Sequence, residues 1–203
     1  MGRNVEEVAW RSWRSPLAAM LASAAVLVAG LVQAQNAPVL PRKSEAEGLA
    51  AWSRVQPVLQ HPRCMNCHQA DSPLQGDAAR AHVPHVVRGA DNHGVAAMRC
   101  TNCHGERNNP NSGAPGALHW QLAPVSMLWQ GLSGGDLCRM LKDRARNGNR
   151  SPADLVHHMG FQGDPLVLWG WQPGEGRQAI PVSHQEFIDQ LTIWAGADAP
   201  CPR

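Results

Sequence analysis

Two pentapeptides constrain this chain more than any other feature. Residues 64–68 read CMNCH and residues 100–104 read CTNCH. Each places two cysteines three positions apart with a histidine directly after. This is the attachment sequence for a c-type haem. Two thiols add to the two vinyl groups on one edge of a porphyrin, and the two intervening residues set the reach between those vinyls. The histidine that follows is carried under the macrocycle, where an imidazole nitrogen can bind iron axially. The expectation is two covalently attached haem c groups. Cys64, Cys67, Cys100 and Cys103 would form the thioethers, and His68 and His104 would be the proximal iron ligands.

Two other chemistries use paired C-x-x-C units. A four-sulfur zinc site is one, but 32 residues separate Cys67 from Cys100, which is long for a zinc ribbon. Zinc also has no need of a histidine at the same following position in both pairs. A redox C-x-x-C is the other, and it would not be expected twice, each time with the same trailing histidine.

The N-terminus reads as an export signal. Arg3, Arg11 and Arg14 make a basic start, Leu17 to Val32 is an apolar run of 16 residues, and Val32-Gln33-Ala34 supplies a cleavage site. The run falls short of the roughly 20 residues a spanning helix needs. The reading is therefore a signal peptide at 1–34, cleaved near Ala34, and a periplasmic protein with no stable membrane span after cleavage. Export places the cysteines in an oxidising compartment. The two haems consume four of the six cysteines, and Cys138 and Cys201 then pair as a disulfide. Closing that loop stabilises by roughly 4 kcal/mol.

Residues 35–43 read as a linker. Residues 44–117 form a dihaem-binding region, and residues 118–203 form a helical region packed on it as one continuous domain. Ser44 and Glu47 have the capping-box form, with Leu49, Trp52, Val55 and Leu59 following at helical spacing to about Gln60. Residues 69–99 show no long periodic pattern and are rich in Gly, Pro, Asp and His; they lack the apolar residues to fold on themselves and would be ordered by wrapping around a bound group. Residues 105–117 are loop. Further on, Ser133 caps a helix carrying Leu137, Met140 and Leu141, ended by Asn147-Gly148. Ser151-Pro152 starts another, with Leu155, His158 and Met159 on one face. Ser183 and Glu186 cap a last helix carrying Phe187, Leu191 and Trp194. The fold class expected is mostly α, a small dihaem cytochrome c with short helices and extensive irregular chain around the haems. In the chain alone the interior around residues 61–104 should look hollow, with the motif cysteines in no disulfide.

The far face of each iron needs a second donor or stays open. Eight histidines lie outside the motifs, in a chain with no tyrosine, two phenylalanines and eight tryptophans. His82, in RAHVPHVVRG, can loop back over a haem and is the first choice; His119, in LHWQLAP, is the second. His61, His85, His158 and Met159 are reserves. Two imidazoles hold the potential of the iron low, a thioether raises it, and an open position admits small ligands.

At HPRCMNCH, GVAAMRCTNCH, LHWQLAPVSM, LKDRARNG and DPLVLWGWQPGEGR the chain resembles a group of small exported dihaem cytochromes labelled "isoquinoline 1-oxidoreductase subunit". The resemblance spans nearly all of the chain after the signal. It implies a redox partner to a molybdenum hydroxylase, or to another periplasmic dehydrogenase, and a terminal acceptor beyond it. The expected role is electron transfer by a dihaem c-type cytochrome rather than catalysis. The alternative is a haem enzyme, peroxidase-like or nitric-oxide-handling, with an open sixth coordination site and a pocket lined by Trp120, Trp129, Trp169 and Trp171. With 18 basic and 16 acidic residues, no field points to nucleic acid.

Overall fold

Ser44 starts the first helix by reciprocal capping. Its hydroxyl accepts the Glu47 N–H, and the Glu47 carboxylate accepts the Ser44 N–H at 2.8 Å. The computed structural model describes residues 40–203. The expected signal at 1–34 and the first part of the linker lie outside the described residues. Helix α1 spans Glu45–Leu59 and continues two residues past Pro57. It buries Gly48, Ala51, Trp52, Val55, Val58 and Leu59, leaving Leu49 only half-buried. A short helix, α2 (Pro62–Met65), follows, with His61 as its N-cap. Two-residue strands β1 (Leu74–Gln75) and β2 (Arg80–Ala81) pair antiparallel. Then come α3 (Gly134–Lys142), α4 (Pro152–Met159), α5 (Pro165–Trp169) and α6 (His184–Gly196). The described residues are thus mostly α with very little strand.

Three of the four C-terminal helices begin where a serine hydroxyl stands. Ser133 accepts from Asp136 N–H, Ser151 from Asp154 N–H and Ser183 from Glu186 N–H. Proline at the first position of α4 and α5 loses nothing, because that N–H has no intrahelical partner. The end of α3 differs from expectation. The helix stops at Lys142, five residues before Asn147. Asn147 is 2% exposed, and its Nδ2 donates to Leu141 C=O at 2.6 Å and Arg150 C=O at 2.9 Å. It therefore captures a helix-end carbonyl from a following turn instead of ending the helix itself. Within the apolar run 166–171, the first four residues belong to helix α5, with Asp164 as its cap and Gly170 closing it.

α1 packs against α6, α6 against α4, and α1 against α3. Trp52 and Trp194 meet at 5.3 Å between ring centroids, with Leu137, Leu141, Leu155, Phe187 and Leu191 filling the space around them. Leu191 is fully buried, so Leu191→Ala is expected to destabilise by about 2–5 kcal/mol through lost contacts and a cavity. Chemical denaturation should show a lower midpoint at unchanged slope. The C-terminal tail closes this core. A Cβ on Gly48 would sit 2.5 Å from the Ala197 Cβ and 2.6 Å from the Pro200 ring, so only glycine permits that approach. Cys138 of α3 is disulfide-bonded to Cys201, with Cα atoms 5.5 Å apart, and the Trp194 indole N–H donates to Pro200 C=O at 3.0 Å.

The stretch between α2 and α3 is held differently. It has few buried apolar residues and instead wraps polar groups. Arg88 is buried, and its guanidinium donates to the carbonyls of Gln69, Ala70 and Ala123 and to the Asn92 side chain. Asn108 bridges the loop at 105–117 to the C-terminal region. It donates to Pro173 C=O at 2.9 Å and accepts from the Trp169 indole and Gly116 N–H, each at 3.0 Å.

Candidate functional site

The two pentapeptides fold into the same turn. Cys67 N–H donates to Cys64 C=O at 3.2 Å, and His68 N–H donates to that carbonyl at 3.3 Å. In the second, Cys103 N–H and His104 N–H both donate to Cys100 C=O, at 3.2 and 2.9 Å. All four motif cysteines are free thiols, while the fifth and sixth are paired with each other. Burial pushes the Cys64 thiol up to about 12, with Cys67 beside it adding to the effect. A thiol poised for disulfide exchange needs the opposite shift. Among the described residues no three His, Cys, Asp or Glu side chains converge to hold a bare metal ion.

The histidines are also held alike. His68 Nδ1 is 2.7 Å from Met127 C=O, and His104 Nδ1 is 2.7 Å from Pro115 C=O. A carbonyl can only accept, so Nδ1 carries the proton in both rings and Nε2 keeps its lone pair. Each ring lies against an indole. His68 stacks on Trp129 at 3.4 Å and 14° between planes, and His104 stacks on Trp120 at 4.6 Å and 11°. Trp120 in turn meets Trp169 edge-on at 5.0 Å. Burial holds His68 down at about 4 and lowers His104 as well, while the carbonyl bonds oppose that shift. The indoles thus act as orienting walls for the imidazoles.

A cavity of about 870 Å³ opens beside the second motif. Cys100, Cys103, His104 and Trp120 line it, and so does Cys67 of the first motif. The two motifs therefore share one space. Residues 74–86, which lack any periodic signal, form much of the opposite wall. From there His82 faces His104, with ring centroids 6.0 Å apart and planes at 61°. His82 Nδ1 is bonded to Pro84 C=O at 2.8 Å, so its Nε2 too is left with a lone pair. Two imidazoles bound to opposite faces of one iron, each through a nitrogen about 2 Å from the metal, hold their centroids roughly 6 Å apart. The donor set and its spacing fit a porphyrin iron.

The other candidates lie elsewhere. His119 does not face either motif histidine; its backbone φ is +62° and its Nδ1 lies 3.5 Å from the Asp164 carboxylate, with the side chain 62% exposed. The long loop before it delivers it to the surface. His61 caps α2 by accepting Arg63 N–H at 3.2 Å. His85 is exposed, and Met159 is buried in the helical core. His158 is half-buried on α4, and its charge would be felt at His68. Sequence reading missed the orienting carbonyls of Met127 and Pro115, the Arg88 clasp and Asn108. A lone arginine in HVVRG carries no local signal that it will be buried.

No family model matches this chain, and neither a curated protein nor a solved structure was found to match it.

Proposed function

We propose that this chain is an exported, periplasmic dihaem c-type cytochrome that accepts electrons from a dehydrogenase or hydroxylase and passes them on. One observation carries the reading. Two pentapeptides distant in sequence fold into the same turn, each with a histidine whose Nδ1 is tied to a carbonyl, whose ring lies on a tryptophan, and whose Nε2 keeps a lone pair. Such outer-shell bonds raise the basicity of an iron ligand and hold its ring in place. When bound, each haem supplies an iron that cycles between ferric and ferrous. Cys64, Cys67, Cys100 and Cys103 would tether the two groups, and His68 and His104 would bind their irons. His82 would close the sixth position opposite His104, excluding small ligands there. Cys67 also lines the cavity beside the second motif, so the two porphyrins would be held near one another, as transfer between them requires. The formed disulfide supports an oxidising compartment, and among the described residues no helix is long and apolar enough to cross a membrane. The resemblance to cytochromes beside molybdenum hydroxylases supports such an enzyme as the donor.

Paramagnetic resonance and absorption spectra of the exported protein test this. The His104 iron should be low-spin and unmoved by cyanide. His82→Ala should convert that one iron, about half of the total, to a high-spin form that binds cyanide. His82→Met should keep it six-coordinate and raise its potential. A high-spin, cyanide-binding iron at this site in the unaltered protein would sink the carrier reading and favour a haem enzyme.

A further inference from the structure

The same cavity carries charge that its sulfur and imidazole chemistry does not use. Four arginines line it, namely Arg63, Arg80, Arg99 and Arg177, against one carboxylate, Asp77. The whole chain is close to neutral, with 18 basic and 16 acidic residues. Two of the four cations are already matched. Arg63 pairs with Asp77, and Arg99 pairs with Asp91 at 2.7 Å. The other two have no carboxylate. Arg177 donates only to the carbonyls of Pro173 and Gly113. The Arg80 side chain is exposed, makes no hydrogen bond or ion pair among the described residues, and lies over Gly76, with its guanidinium 3.8 Å from where a Cβ there would stand. An apolar-walled cavity with two uncompensated guanidinium groups fits a flat apolar ligand bearing two anions.

A porphyrin carries two propionates, on the side away from the vinyl groups that take the thiols. Arg99, next to Cys100, lies on the thioether side, and it is the one Asp91 neutralises. Arg80 comes from β2, and Arg177 from the turn after Pro173-Gly174, both remote in sequence from the motif. Guanidinium groups receive carboxylates in paired hydrogen bonds. We propose that Arg80 and Arg177 receive the two propionates of the haem held at Cys100 and Cys103. This rests on the proposed function. It makes the two arginines positioning residues that order the hairpin and the 173–178 turn around the group. They also raise its potential, because positive charge favours the iron state that has gained an electron.

The test is the reduction potential of the His104 haem in full-length exported protein, followed from about pH 5 to about pH 9. Wild type, Arg80→Gln and Arg177→Gln are compared; Asp77, His82 and His104, the other titratable groups on this wall, are common to all three. The unaltered protein should give a nearly flat profile, since paired propionates stay ionised. In each variant the potential should fall at the alkaline end. That shift should close toward the acid end, as the released propionate takes up a proton and its negative charge disappears. Arg177→Gln also frees Pro173 and Gly113, so Arg80→Gln decides the matter if the other variant fails to fold. An Arg80→Gln profile equal to wild type, or displaced by the same amount at every pH, overturns the assignment. A wild-type potential that moves with added phosphate gives the arginines to a free anion and also overturns it. Protein whose mass shows no porphyrin overturns the proposed function itself, a distinct outcome.

Discussion

Cys100→Ala combined with Cys103→Ala will leave the exported protein with one porphyrin in place of two. The intact mass should fall by one porphyrin, and haem absorbance per chain should halve. The reason is local. The second motif presents its thiols on one short turn into the cavity, and no free cysteine other than Cys67 lines that space. In the proposed function Cys67 would be committed to the first group. The helical core should survive, because the buried contacts of α1, α3, α4 and α6 do not draw on the cavity. Residues 69–99 should not hold as well. Their order depends on polar clasps and on what they enclose, so their amide hydrogen exchange should accelerate while the helices stay protected. The corresponding pair at Cys64 and Cys67 should lose one porphyrin too, but at a greater cost in stability. Cys64 packs against the helical core, whereas Cys103 is exposed. Two porphyrins retained after the Cys100/Cys103 exchange would refute the attachment; so would none on the parent protein.

Replacing Cys138 and Cys201 together by serine should lower stability by about 4 kcal/mol. The crosslink joins residues 63 apart in sequence, and loop-closure entropy over such a span is of that order. A domain typically holds only about 5–15 kcal/mol in reserve, so a large share would be lost. At roughly 2–4 °C per kcal/mol for a chain of this size, the midpoint of thermal unfolding should fall by about 10 °C. The effect should concentrate where the tail meets the core. The tail packs on Gly48 of α1 and receives the Trp194 indole through Pro200. Reduction of the wild-type protein with a thiol should reproduce the loss of stability, and the double serine variant should keep the absorption spectrum of the parent, because neither cysteine lines the cavity beside the second motif. A midpoint shift within error would show that packing of residues 197–203 alone closes the core.

The sequence by itself determined those features whose cause lies within a few residues. Ser44, Ser133, Ser151 and Ser183 each start a helix because a hydroxyl reaches an N–H three positions on. The motif turns are local in the same sense, since in each the N–H groups of the second cysteine and of the histidine both close on the carbonyl of the first cysteine. The pairing of Cys138 with Cys201 came from counting, not from geometry. The tertiary structure alone decided the rest. It brought His82 to within 6.0 Å of His104 and sent His119 to Asp164 instead. It chose Met127, 59 residues away, to orient His68 and Pro115 to orient His104. It ended α3 at Lys142 and then folded Asn147 back from the following turn onto the Leu141 carbonyl. The physical reason is common to all of these. Chain without helical or alternating periodicity has no face that announces its partner, so its contacts are selected by long-range packing and by which buried polar groups must be satisfied.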